Sequence, residues 1–233
     1  MFLSACALED FSFDSWSGLS TLLSTRECLL LENRNYQTDL RNTQFIFGRL
    51  LLKQILSSCL SVNIHTIDIL TFENGAPRLI INNSFADDIS LSISHYSNTI
   101  FVAAGLNCSC GVDVQSVSGV DWPSVLRAMN WSVSIDDQWL GVSSDVTDEV
   151  YVCQQVRSAL IWSGYEAWFK ANSGLVMPSD FLLHKIKLIQ SDSVTGSRIF
   201  QMFLGRDSSY YDTCIYIKLL SDEVFAVAAK STL

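Results

Sequence analysis

Two short stretches carry side chains suited to handling a charged phosphate. One is Trp162-Ser163-Gly164-Tyr165-Glu166-Ala167-Trp168-Phe169-Lys170; the other is Gly111-Val112-Asp113-Val114-Gln115. Positions 162, 166 and 170 fall four apart, so a helix here lines up an aromatic ring, a carboxylate and an ammonium on one face. The second stretch alternates as a strand does, which turns Asp113 and Gln115 to the same side. With that helix packed beside that strand, two carboxylates and an amide oxygen converge. Hard oxygen donors of this kind suit Mg²⁺ on a phosphate substrate. Taken alone, Glu166 and Lys170 would be a surface ion pair worth about 0.3 kcal/mol. Asp113 between two valines is harder to set aside, because a buried carboxylate is costly unless paired. Trp162 reads as packing.

Those residues need elements to position them. Residues 24–60 read mainly as helix, with Phe45, Leu50, Leu51, Leu52, Ile55 and Leu56 as the apolar face. Its charges, from Arg26 to Lys53, read either as the wet face of that helix or as a basic patch. Ile67–Leu70 and Leu79–Ile81 are short strand candidates on either side of Glu73-Asn74-Gly75-Ala76-Pro77, a turn by composition. Ile89–Ser94 alternates, and Ile100–Ala104 is an unbroken apolar run that suits a strand buried on both faces. Glu149–Ala171 reads as a helix, with Thr147 or Asp148 as its cap and Gly174 near its stop. Gly164 interrupts it at a cost of about 1 kcal/mol relative to Ala. Four strands, 181–189, 198–204, 215–219 and 224–229, finish the chain. Ile100-Phe101-Val102-Ala103-Ala104 is echoed by Val224-Phe225-Ala226-Val227-Ala228-Ala229. The echo and the shared order of elements predict two similar α+β subdomains, 1–107 and 108–233, in pseudo-twofold arrangement. Each would have a small, mainly antiparallel sheet on a long helix, with a ligand cleft where they meet.

Bulk properties narrow the field. Hydrophobic content of 48% against 17% charged gives ample core and argues against disorder. A formal charge of −9 argues against a general nucleic-acid binder. The seven cysteines are scattered and odd in number, which is no disulfide framework. Cys108-x-Cys110 has the wrong spacing for a zinc knuckle, and plain thiols in a reducing cytoplasm fit best. The first ten residues lack a basic stretch and end in acids, so no signal peptide is expected, and no apolar run is long enough for a membrane span.

Four landmarks occur in order: Gly75-x-Pro77-x-Leu79, Ser94-His95, Gly111-Val112-Asp113-Val114-Gln115, and Trp162-x-x-x-Glu166-Ala167-x-x-Lys170 with Gly174-Leu175 after it. Each is weak alone. The ordered set resembles the 4′-phosphopantetheinyl transferases of the Sfp type, from about Arg26 to Leu175. The resemblance implies a monomeric, cytoplasmic, two-lobed α+β enzyme that binds coenzyme A and Mg²⁺ between its lobes. It would move phosphopantetheine to a serine of an apo acyl or peptidyl carrier protein in fatty acid, polyketide or nonribosomal peptide biosynthesis. By that likeness Asp113 and Glu166 hold the metal, with Gln115 a direct or water-linked third ligand. Glu166 would also take the serine proton, and Lys170 would face the pyrophosphate. Ser94 and His95 would bind a phosphate of coenzyme A, with Arg26, Arg49 and Arg78 as further phosphate partners.

The chain departs from that pattern at several positions. Where the family usually has lysine, Ala76 and Tyr165 stand; where it often has glutamate, Gln115 stands. An acidic residue that many members carry after a Phe-Ser-like pair has no clear match near Trp131-Ser132, where Ile135 or Asp136 would fall. Each lost cation would cost about 1.5–3 kcal/mol of coenzyme A binding. These changes keep open a non-catalytic relative that binds carrier proteins or a nucleotide on the same scaffold. An unrelated α+β protein is the third reading.

Overall fold

The computed structural model describes residues 1–7, 20–32, 39–72, 75–129, 131, 154–172, 182–205 and 213–231. The cap at Thr147 or Asp148, the stop at Gly174 and the positions 132–136 lie outside them. Within them the protein is α+β, with antiparallel sheets and four α-helices. It divides into two compact units, Met1–Cys110 with Ser231–Leu233, and Gly111–Lys230.

The first unit opens on β1, Phe2–Ala7, followed by α1, Thr25–Glu32, and α2, Asp39–Leu60. Strands β2, Ile67–Thr71, β3, Pro77–Ile81, and β4, Ser84–Phe85, form one antiparallel sheet. Strands β5, Ile89–Tyr96, and β6, Thr99–Leu106, make a hairpin, and β1 joins its far side in the order β1-β6-β5. Leu52 and Leu56 of α2 bury against Ile67, Ile69, Leu79, Leu91, Ile100 and Val102. Burying each such side chain contributes about 1.5–3 kcal/mol.

A capping box starts α1. Ser24 N–H donates to Glu27 Oε2 at 2.8 Å, and Glu27 N–H returns a bond to Ser24 Oγ at 3.2 Å. Glu27 is also the hub of the interior. Its Oε2 meets Lys53 Nζ at 2.6 Å and its Oε1 accepts from Ile69 N–H at 2.9 Å, while Lys53 Nζ also donates to Leu22 O at 2.8 Å. One buried ion pair therefore ties α1, α2 and β2 together.

The second unit begins within β7, Cys108–Ser116, and continues through α3, Trp122–Ala128, and α4, Gln154–Ala171. Strands β8, Leu182–Ser191, β9, Arg198–Gly205, β10, Thr213–Leu220, and β11, Glu223–Ser231, complete it. The sheet order is β7-β11-β10-β9-β8. In each unit, then, the first strand lies beside the last. The echoed runs, β6 and β11, both occupy interior places in their sheets. The sequence did not predict β1, β4 or α3. The last starts on Asp121, whose side chain accepts from Ser124 N–H, with Pro123 in its first turn.

Two glycines let α4 lie close to the sheet. A Cβ on Gly164 would sit 2.7 Å from the Met202 sulfur, which explains an otherwise unfavourable residue in mid-helix. A Cβ on Gly111 would sit 1.9 Å from Ala167 O and 2.6 Å from Ala171 N, both backbone atoms that cannot rotate aside. Gly111→Ala is therefore expected to push β7 off α4 and cost about 3 kcal/mol or more in urea unfolding. A variant as stable as the parent would mean the two backbones are not in that contact.

Candidate functional site

Asp113 lies on β7, two residues beyond the Gly111 contact, and its side chain is 2% exposed. Such a carboxylate needs a partner, and α4 supplies one. Lys170 Nζ donates to Asp113 Oδ1 at 2.9 Å and to Val112 O at 3.0 Å. The Lys170 side chain is 27% exposed, so part of it still reaches solvent. Glu166 stands one helical turn earlier and is half-buried. Its carboxyl pKa is raised, first by burial and also by the charge of Asp113, while Lys170 pulls it down. Two carboxylates and an ammonium thus interact on one strand and one helix of the second unit. Gln115 shares the Asp113 side of β7 and is half-buried.

The donor set fits Mg²⁺. Among the described residues no three His, Cys, Asp or Glu side chains cluster into a ready-made metal cage. Mg²⁺ rarely uses one; it binds through one or two carboxylates and completes its shell with water and substrate phosphate oxygens. Asp113 and Glu166 are the carboxylates that would hold it, with Gln115 on the same side of β7 as Asp113.

The raised Glu166 pKa has a thermodynamic consequence. The folded state binds the Glu166 proton more tightly than the unfolded state does. Stability therefore falls as pH rises from the ordinary glutamate value through the raised one. Glu166→Gln removes that penalty, so its melting temperature is expected to exceed the parent's by roughly 1–3 °C at pH 7 and to match it near pH 4. Scanning calorimetry at both pH values checks this, and a gain that is the same at both would refute it.

The other predicted residues are in the first unit, and only some are suited to a phosphate. His95 is on the face of β5 that carries Leu91 and Ile93 toward α2. Ser94, its neighbour along the strand, faces the other way and is buried. Their side chains therefore leave opposite faces of β5. Arg41 of α2 brings Nη1 to 3.4 Å from His95 Nε2, which accepts from the guanidinium, a contact that sequence reasoning missed. No local signal announces it, since the two residues are 54 apart in the chain.

The three predicted arginines are placed elsewhere. Arg49 is inside the protein: its guanidinium donates to Ile69 O, Phe45 O and Thr71 Oγ1 and lies 3.3 Å from the Phe45 ring centre. A buried guanidinium spent on carbonyls is a structural cross-link, so Arg49 is withdrawn as a phosphate ligand. Arg26, 49% exposed, pairs with Asp68 at 3.3 Å. Arg78, 56% exposed, lies over Phe72 and 3.8 Å from Asp87. Neither joins His95 in any contact described.

Tyr165 is a core residue. It packs edge-on to Trp131 with ring centres 4.7 Å apart and also touches Trp162, Trp168 and Phe169. Trp162 stacks on Trp122 at 6.1 Å, as the packing role implies. Cys28, Cys59, Cys108 and Cys110 are free thiols, and burial pushes Cys110 up to about 11. No helix among the described residues is long and apolar enough to cross a membrane. Compared with known proteins, the chain matches no family model and no curated sequence.

Proposed function

We propose that the protein transfers 4′-phosphopantetheine from coenzyme A to a serine of an acyl or peptidyl carrier protein. The observation that supports this most is the mutual influence of Asp113, Lys170 and Glu166 on β7 and α4. Asp113 and Glu166 are the residues that would hold Mg²⁺, which when bound would supply positive charge against the non-bridging oxygens of the diphosphate. Lys170 binds a phosphate oxygen and orients the diphosphate for in-line attack. The serine oxygen forms a bond to the β-phosphorus. The bond from that phosphorus to the bridging oxygen breaks, and adenosine 3′,5′-bisphosphate leaves with the electron pair. Glu166, directly or through a water, takes the serine proton. In this reading the two units are similar halves in pseudo-twofold arrangement, and the enzyme is a cytoplasmic monomer.

The test is direct. The full chain is incubated with coenzyme A, Mg²⁺ and a broad panel of apo carrier proteins, and the carriers are weighed by mass spectrometry. One of them should gain a single phosphopantetheine group on serine, and a chelator should stop the gain. No gain on any carrier would overturn the reading. One observation favours a second reading, a carrier- or nucleotide-binding relative without transfer. Tyr165 is committed to the aromatic core, which leaves Lys170 as the cation that α4 brings to Asp113. Carrier binding without Mg²⁺-dependent coenzyme A binding would select it.

A further inference from the structure

We propose that Lys170 is a resident counter-cation, which keeps a bare divalent ion off Asp113 until a polyphosphate arrives to take the ammonium. The proposal rests on the reading above and concerns how the same site is loaded. Asp113 is sealed from water and Lys170 is not, so the carboxylate has little solvent to fall back on. Lys170 meets that need with a charge-assisted bond of 2.9 Å and is held in place by Val112 O at 3.0 Å. A divalent cation that approaches Asp113 Oδ1 meets a positive charge already on it. Two cations on one buried oxygen repel strongly where solvent screening is weak.

A diphosphate changes the balance. It offers Lys170 a second anionic partner, and the long, partly exposed side chain can swing to it while Asp113 turns to the metal. The Glu166 carboxyl feels both charges, so it loses the Lys170 attraction and gains the metal's in one step. Metal and phosphate binding are then thermodynamically coupled, each strengthening the other. The ligand class is a cation–polyphosphate pair, taken together. A site that binds bare cations poorly also resists the wrong ones.

The experiment titrates Mn²⁺ into the full chain and reads free ion by electron paramagnetic resonance. The parent, Lys170→Gln and Lys170→Arg are compared without added nucleotide. Lys170→Gln is expected to bind Mn²⁺ alone about tenfold more tightly than the parent, the scale of one charge-assisted bond. Lys170→Arg keeps the cation and should stay as weak as the parent. Asp113→Asn should remove the gain. A second measurement needs no variant: the ¹³Cε resonance of Lys170 in the parent should move when Mg²⁺ and coenzyme A are added together and stay put with the same Mg²⁺ alone. Unchanged or weaker Mn²⁺ binding by Lys170→Gln, or a Lys170 shift with Mg²⁺ alone, overturns the proposal. If the parent still binds coenzyme A in a Mg²⁺-dependent way, the transferase reading survives that failure. If coenzyme A binds neither with nor without metal, both fall.

Discussion

Glu166→Gln is expected to slow phosphopantetheine transfer by about 10²–10⁴-fold while the chain stays folded. The substitution keeps the shape of the side chain and removes its charge. On the proposed reading two roles would be lost together: one of the two carboxylates around the metal, and the group that takes the serine proton. The loss should appear mainly in kcat, because the serine step is the one deprived of both. Coenzyme A binding should weaken less than turnover does. Asp113→Asn should be as inactive, but for a partly different reason. It leaves Lys170 beside a neutral amide, and both metal binding and local packing suffer. Circular dichroism separates the two cases. Glu166→Gln should keep the parent spectrum and gain stability near neutral pH, since the carboxylate it removes is held above its ordinary pKa. A Glu166→Gln enzyme with parental turnover would remove the chemical role assigned to this residue.

The second large effect is on stability. Glu27→Ala is expected to cost about 3–5 kcal/mol, because it strands a buried ammonium. Lys53 is 1% exposed and would keep only the Leu22 carbonyl among the bonds described. The amides of Ser24 and Ile69 lose their acceptor at the same time. Urea unfolding should show the first unit melting early. The double variant Glu27→Leu with Lys53→Met should recover much of the loss, since apolar replacement of a whole buried pair is often close to neutral. Recovery should be partial, because two backbone amides remain without the carboxylate. A single-variant loss under about 1 kcal/mol would mean that Glu27 and Lys53 behave as a surface pair.

Much of this arrangement was legible in the sequence, and the misses have physical reasons. The alternation of Ile89–Ser94 and the apolar runs 100–104 and 224–229 located β5, β6 and β11, because side-chain period is a local property. β1 escaped notice because its pairing with β6 spans about a hundred residues. α3 is seven residues long, too short for a helical period to register. Spacing also placed Lys170 and Asp113 on faces that pair at 2.9 Å, although the sequence set Lys170 toward a pyrophosphate rather than toward Asp113. Four residues along a helix and two along a strand put Glu166, Lys170 and Asp113 on the faces they occupy. Arg49 and Lys53 misled, because arginine and lysine on a helix usually face water. Their tertiary partners, Ile69 O and Phe45 for Arg49 and Glu27 and Leu22 O for Lys53, show that these two face inward. Arg41 was passed over for the converse reason, since its partner His95 lies on a distant strand.

The central claim is that Asp113 and Glu166 grip a divalent cation together with a diphosphate. Isothermal titration of coenzyme A into the full chain, with Mg²⁺ and then with a chelator, tests it most directly. Binding should be clear with Mg²⁺, at least about tenfold weaker without it, and equally weak in Asp113→Asn and Glu166→Gln whether or not Mg²⁺ is present. Binding of the same strength in the chelator, or parental Mg²⁺-dependent binding by both variants, would contradict the claim.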